Sequence, residues 1–251
     1  MRPFRWVLGV LVLGVAGALV PPGGVSAVPA RSRCRPTAFV ANRESDSVST
    51  IDVKTRTKNP TDIRGGPRPA GVAVTPDGKT AFVTNYGSDS VSTIDVKTRT
   101  KDPSDITVGA QPTGVAVTPN GKTAFVANGN RGTVSTIDVK TRTKHPADIT
   151  VGSAPAAVAV TPDGKTAFVA NFGGGTVSTI DVKSRTKDPT DIPVGQNPYQ
   201  PAVTPDGKTV FVTNGSSGTV STIDVKTRTK HPTDITVGSQ PIGLAVTPCR
   251  R

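Results

Sequence analysis

Few residues in this 251-residue chain have side chains suited to catalysis or metal binding. Its two histidines, His145 and His231, each stand in a Lys-His-Pro tripeptide, and its two cysteines, Cys34 and Cys249, stand near opposite ends. That inventory argues against His-rich copper or zinc sites and against Ser–His or Cys–His catalysis. Asp52, Asp95, Asp138, Asp181 and Asp224 recur in Ile-Asp-Val, each ahead of a basic turn. They could form a ring of carboxylates, but a uniform place before a turn suits backbone capping by the Asp side chain better. No phosphate loop and no EF-hand spacing occurs. The expectation is therefore no metal, no cofactor and no enzyme activity.

Charge is the other candidate chemistry. The chain carries a formal net charge of +12, and its cations cluster in five copies of one turn. These are Lys54, Arg56 and Lys58; Lys97, Arg99 and Lys101; Lys140, Arg142 and Lys144; Lys183, Arg185 and Lys187; and Lys226, Arg228 and Lys230. A ring of such turns suits a polyanion such as nucleic acid, teichoic acid or an acidic glycan. The other reading is a solvated turn whose Lys and Pro guard an outer edge strand. No aromatic residue is interleaved for base stacking, which weighs against nucleic acid.

The elements that position these residues are repeats. Phe39, Phe82, Phe125, Phe168 and Phe211 follow one another at intervals of 43 residues, each inside a near-identical unit such as GVAVTPDGKTAFVTNYGSDSVSTIDVKTRTKDPSDITVG. Runs rich in Val, Ile, Thr and Phe alternate with Gly, Pro, Asn and Asp, which marks short strands and tight turns. Each unit has four such runs: GVAVTP, TAFVTN, VSTIDV and DITVG. Four strands in this repeat length is the size of a propeller blade. The predicted fold is an all-β, five-bladed β-propeller with four antiparallel strands per blade.

TAFVTN with VSTIDV and GVAVTPDGKT resembles the YVTN family of β-propeller repeats, with Phe in place of the usual Tyr, over nearly all of the chain after the first 30 residues. The resemblance implies a propeller, often secreted or on the cell surface; the family includes surface-layer proteins, and some relatives are catalytic or bind nucleic acid. Propeller lactonases of related fold use acidic and polar metal ligands around the channel, and no equivalent set is legible here.

The ends of the chain suggest how the ring closes. The repeat is entered at Thr37 with a second strand and left at Gly243–Pro248 with an innermost one. The last strand is therefore expected to complete the first blade and leave no open edge. Cys34 and Cys249 are 215 residues apart, which is five repeats, so a closed ring would put both in one turn. One Cys34–Cys249 disulfide is expected. Ahead of this, Arg2 and Arg5 precede the apolar run Trp6–Val20 and the small-residue sites VSA and VPA. Residues 1–30 read as a secretory signal peptide cleaved after 27 or 30, too short for a bilayer span. Residues 31–251 then form one propeller domain, secreted and with no membrane span.

Alternating strand direction sorts the turns onto two faces. The basic turns occupy one. On the other, the loops and blade junctions differ from repeat to repeat, and there Arg68, Tyr86, Gln111, Phe172, Asn197, Tyr199 and Gln240 are the candidate binding residues. The leading expectation is a monomeric, non-catalytic scaffold for a protein or glycan partner. A polyanion-binding module on the basic turns is second, and a lactonase-like hydrolase third.

Overall fold

The computed structural model describes residues 36–247. The chain divides into two units, Met1–Cys34 and Arg35–Arg251, and the described residues all belong to the second. The expected signal peptide, Cys34 and Cys249 lie outside the described residues. No helix among the described residues is long and apolar enough to cross a membrane.

Five antiparallel sheets follow one another along the chain. The second is representative. Its inner strand, Pro69–Val74, pairs with Thr80–Asn85, which pairs with Ser90–Asp95. The outer edge is two separate short strands: Ile106–Thr107, within the expected fourth strand DITVG, and Thr100–Lys101, expected as part of the basic turn, each pairing with part of Ser90–Asp95. Pro103 explains the break, because it has no N–H to donate to the ladder. The same interruption recurs at Pro60, Pro146, Pro189 and Pro232.

What holds the blades together lies between them. Phe82, Val91, Ile106 and Val108 of the second blade pack on Ala124, Val126 and Ile137 of the third, and equivalent clusters join the first blade to the second, the third to the fourth and the fourth to the fifth. Phe82, Phe125 and Phe168 are fully buried in these seams. Gly109 marks how closely a junction approaches the next blade, since a Cβ there would lie 2.5 Å from Asn128 Nδ2.

A polar relay crosses each blade at right angles to this packing. Asn85 Nδ2 donates to Ser92 Oγ at 2.9 Å, and Ser92 Oγ donates to Asp105 Oδ1 at 2.8 Å. Lys101 Nζ meets the same carboxylate at 2.7 Å. The first blade repeats the relay with Asn42, Ser49, Asp62 and Lys58, and the fifth with Asn214, Ser221, Asp234 and Lys230. The relay fastens the broken outer strand to the middle of its sheet.

Among the described residues the ring closure expected from the sequence is not formed. Thr37–Asn42 pairs with Ser47–Asp52, and no other described strand pairs with it. Residues 241–247 belong to no strand. They lie instead against the fifth blade, where Thr213 Oγ1 donates to the Ile242 carbonyl at 3.1 Å. Thr84 Oγ1 makes the same bond to Thr113 at the start of the next blade's inner strand. Ile242 thus occupies the position of the first residues of a following inner strand, held by the Thr213 hydroxyl.

Two stability predictions follow from these contacts. Phe125→Ala should cost about 3–5 kcal/mol, the range for emptying a buried aromatic site. Phe211→Ala should cost less than half of that, because Phe211 is only half-buried; urea melts of the two variants make the comparison. The second concerns acid. Asp95, Asp138 and Asp224 are held below the ordinary value of 3.8, first by the backbone N–H of Thr98, Thr141 and Thr227 and then by the hydroxyls of those residues. Hydrogen bonds from Lys58 and then Ser49 lower Asp62 in the same direction. Groups depressed in the fold bind protons more weakly there than in the unfolded chain, so their stabilisation is complete above the unfolded value. It drains away as pH falls through the folded values. The melting temperature should hold from pH 7 to about 5 and fall below about 4; a melt that is invariant down to pH 2 would contradict it.

Candidate active site

The face opposite the basic turns holds a cleft of about 410 Å³ whose lining includes Arg43, Tyr86, Gln111, Asn130, Phe172 and Tyr199. Four of the seven candidates chosen from the sequence, Tyr86, Gln111, Phe172 and Tyr199, therefore meet in one place. Tyr86 Oη donates to Gln111 Oε1 at 2.9 Å. The guanidinium carbons of Arg43 and Arg68 lie 4.4 and 5.3 Å from the Tyr86 ring centroid, close enough for cation–π attraction. The rings of Phe172 and Tyr199 meet edge to face at 87°, with centroids 6.1 Å apart. Asn197 is not in the lining but supports it, since its Nδ2 donates to the Phe172 carbonyl at 3.3 Å. Gln240 is exposed and lies outside the cleft.

The junctions explain why these side chains are available. Arg68, Gln111, Ala154, Asn197 and Gln240 all have φ between 47° and 53°, in the left-handed region. The backbone N–H of Arg68 donates to Asp46 Oδ1 at 2.7 Å, and that of Gln111 to Asp89 Oδ1 at 2.8 Å. Their carbonyls accept from Tyr86 at 3.0 Å and Gly129 at 2.9 Å. Since the backbone of these junctions is satisfied by neighbouring loops, their side chains can vary without loosening the fold. Arg43 was missed as a candidate, yet it occupies the same repeat position as Tyr86, Gly129, Phe172 and Gly215. Comparing that column across the repeats would have found it.

The opposite face is less cationic than its sequence suggests. Lys58, Lys101, Lys144, Lys187 and Lys230 are paired with Asp62, Asp105, Asp148, Asp191 and Asp234 at 2.6–2.8 Å. Arg142 and Arg228 pair with Asp102 and Asp188 of the preceding blade. Arg56, Arg99, Arg142, Arg185 and Arg228 take left-handed φ at the tip of each turn. The aspartate side chain closes the turn, as where Asp138 Oδ1 accepts from the Thr141 N–H at 2.7 Å.

The family described as lactonase, 7-bladed beta-propeller, matches residues 37–144, 97–192 and 139–240. The chain belongs to this family. Among solved structures it is similar to the hydrazine synthase of Kuenenia stuttgartiensis, with a TM-score of 0.68 and 29% identity over 76% of this chain and 60% of that one. It is similar to a protein of unknown function from Desulfotomaculum acetoxidans, with a TM-score of 0.66 and 21% identity over 75% and 62% of the two chains. It also resembles a candidate 6-phosphogluconolactonase from Bacteroides uniformis, with a TM-score of 0.72 and 19% identity over 83% and 71%. The chain spans 60% and 62% of the first two of these structures. No curated protein matches.

Family membership corrects the expectation of a non-catalytic scaffold without enzyme activity. It also bears on the open ring, since the family has seven blades and five sheets are described here. Among the described residues the first blade lacks the inner strand the sequence assigned to it. The metal set expected of a propeller lactonase has no counterpart among the described residues, where no three His, Cys, Asp or Glu side chains converge.

Ala154 lines the cleft with a φ of 47°. A left-handed backbone costs a residue with a Cβ about 1–2 kcal/mol, while glycine's extra freedom in the unfolded chain costs about 0.4–1. Ala154→Gly should therefore raise stability by about 0.5–1 kcal/mol, read as a higher urea midpoint with an unchanged slope.

Proposed function

We propose that this chain is a lactonase-like hydrolase that opens the lactone of a small hydroxylated acid in the cleft between Arg43 and Tyr199. Membership of the lactonase propeller family carries this reading, and the content of the cleft supports it. Water adds to the lactone carbonyl carbon, the ring C–O bond breaks, and the departing oxygen takes a proton to give the hydroxy acid. Negative charge develops on the carbonyl oxygen, and the neighbouring guanidiniums of Arg43 and Arg68 supply fixed positive charge for it. The amides of Gln111 and Asn130 offer donors and acceptors to substrate hydroxyls. Phe172 and Tyr199 cover the apolar face of the ring and exclude water from it.

The repeats are of the YVTN kind, and residues 1–30 direct export, which N-terminal sequencing of the secreted protein would test. For the activity, titration of acid released from a panel of aldonolactones should show hydrolysis faster than in buffer alone. Arg43→Ala should lower kcat/KM at least about tenfold, a loss of about 1.4 kcal/mol of transition-state stabilisation. Its melting temperature should not change, since the Arg43 side chain is 44% exposed. Hydrolysis no faster than buffer across the panel would overturn the proposal.

A further inference from the structure

The fifth blade ends on a face built like those that the other blades bury. Ile63, Ile106, Ile149 and Ile192 are no more than 9% exposed, whereas Ile235 in the same repeat position is 49% exposed. Val108 is 8% exposed and its counterpart Val237 is 41% exposed. The first blade bares the complementary half. Ala81 and Val83 are fully buried against the blade before them, but Ala38 is exposed and Val40 is 42% exposed. Val53, at the edge of the same half, is 49% exposed. These two faces are the halves of the seam that the chain forms four times internally.

The tail adds a second element of the same design. Thr213 holds Ile242 on the fifth blade, and residues 243–247, which carry the sequence of an inner strand, belong to no strand. Inside the chain the partner of an inner strand is a TAFVTN strand, with Val72 opposite Val83, Ala73 opposite Phe82 and Val74 opposite Ala81. Thr37–Asn42 is such a strand, and no described inner strand pairs with it.

We propose that a second copy of this chain seats its first blade on the fifth blade of the first copy, and that the tail of the first copy becomes the inner strand of the second copy's first blade. The pairing places Leu244 opposite Val40, Ala245 opposite Phe39 and Val246 opposite Ala38. Ile235, Val237 and Phe211 then receive the Ala, Val and Ile side chains that their counterparts already receive at each internal seam. The occupant follows from continuity: the face that fits the fifth blade is the face the chain makes at the start of every blade. His231 would meet Arg56 at this junction, and the third and fourth blades already bring His145 and Arg185 to one cleft. The contact is head to tail, so each copy keeps one face of each kind and further copies add in one direction. This replaces the expected monomer and does not depend on the hydrolase reading.

Light scattering on the full chain tests it. The measured mass should rise with concentration above that of one chain. Val40→Asp and Ile235→Asp each spoil one face at an exposed position and should each run at the mass of one chain, with self-association weakened at least about tenfold. Mixed in equal amounts they should give a two-chain species, because each retains the face that the other lacks. If circular dichroism shows that either aspartate disturbs the sheet, Val53→Ser and Val237→Ser, both outside strands, serve in their place. A wild type that stays at one-chain mass at every concentration overturns the proposal and points to a ring closing on itself. A mixture that stays at one-chain mass overturns it as well.

Discussion

Burial between neighbouring blades is the constraint on which this structure depends. No blade has an apolar core of its own: Phe125, Val134 and Ile149 of the third are buried because Val158, Ala167, Val169 and Ile180 of the fourth cover them. Each sheet contributes one half of a seam forward and the other half backward, so stability grows by nearest-neighbour contacts, as in other repeat architectures. Among the described residues the first and last sheets each lack one neighbour, and the first also lacks an inner strand. That difference accounts for the partial exposure of Phe39 and Phe211 in a column where Phe82, Phe125 and Phe168 are sealed.

Near-identity of the repeats has a polar cause beside the apolar one. The Asn–Ser–Asp–Lys relay links the second, third and outer strands of a blade, and altering any member leaves a buried or half-buried polar group without its partner. The outer strand needs this fastening because a proline has cut it in two. The same relay takes up one lysine of each basic turn, so the charge of that face is partly spent on its own carboxylates. Variation falls chiefly in the column of Arg43, Tyr86 and Phe172 and the column of Arg68, Gln111 and Asn197, with smaller changes in the seams, where Ala81, Ala124 and Ala167 give way to Val210. Side chains from those two columns make the cleft.

Much of the fold was legible from the sequence. The spacing of Phe39, Phe82, Phe125, Phe168 and Phe211 marked the repeat. The alternation of Val, Ile and Thr runs with Asp-Gly and Asn-Gly turns marked the strands. The variable columns also pointed to the face that holds the cleft, although Arg43 was overlooked. Three readings were corrected for physical reasons. The outer edge was read as DITVG alone, whereas two residues at the end of the basic turn, ahead of the proline, also pair with the third strand. Ring closure was argued from the matching repeat phase of the two ends, but phase says only which strands are compatible; whether they meet depends on the angle that side-chain packing sets at every seam. Absence of enzyme activity was argued from the shortage of His and Cys, and the match to the lactonase propeller family overturned it; a cleft lined by side chains of several separate loops leaves no local motif to find.

The sequence by itself determined the repeat, the strands, their turns and the pairing of neighbours, because these rest on contacts within about one repeat length of chain. Only the tertiary structure decided which loop side chains converge into one cleft, which cations are neutralised and which faces are left bare. Those outcomes depend on residues from separate blades being brought together, and that placement is set by how sheet packs on sheet rather than by any single stretch of the chain.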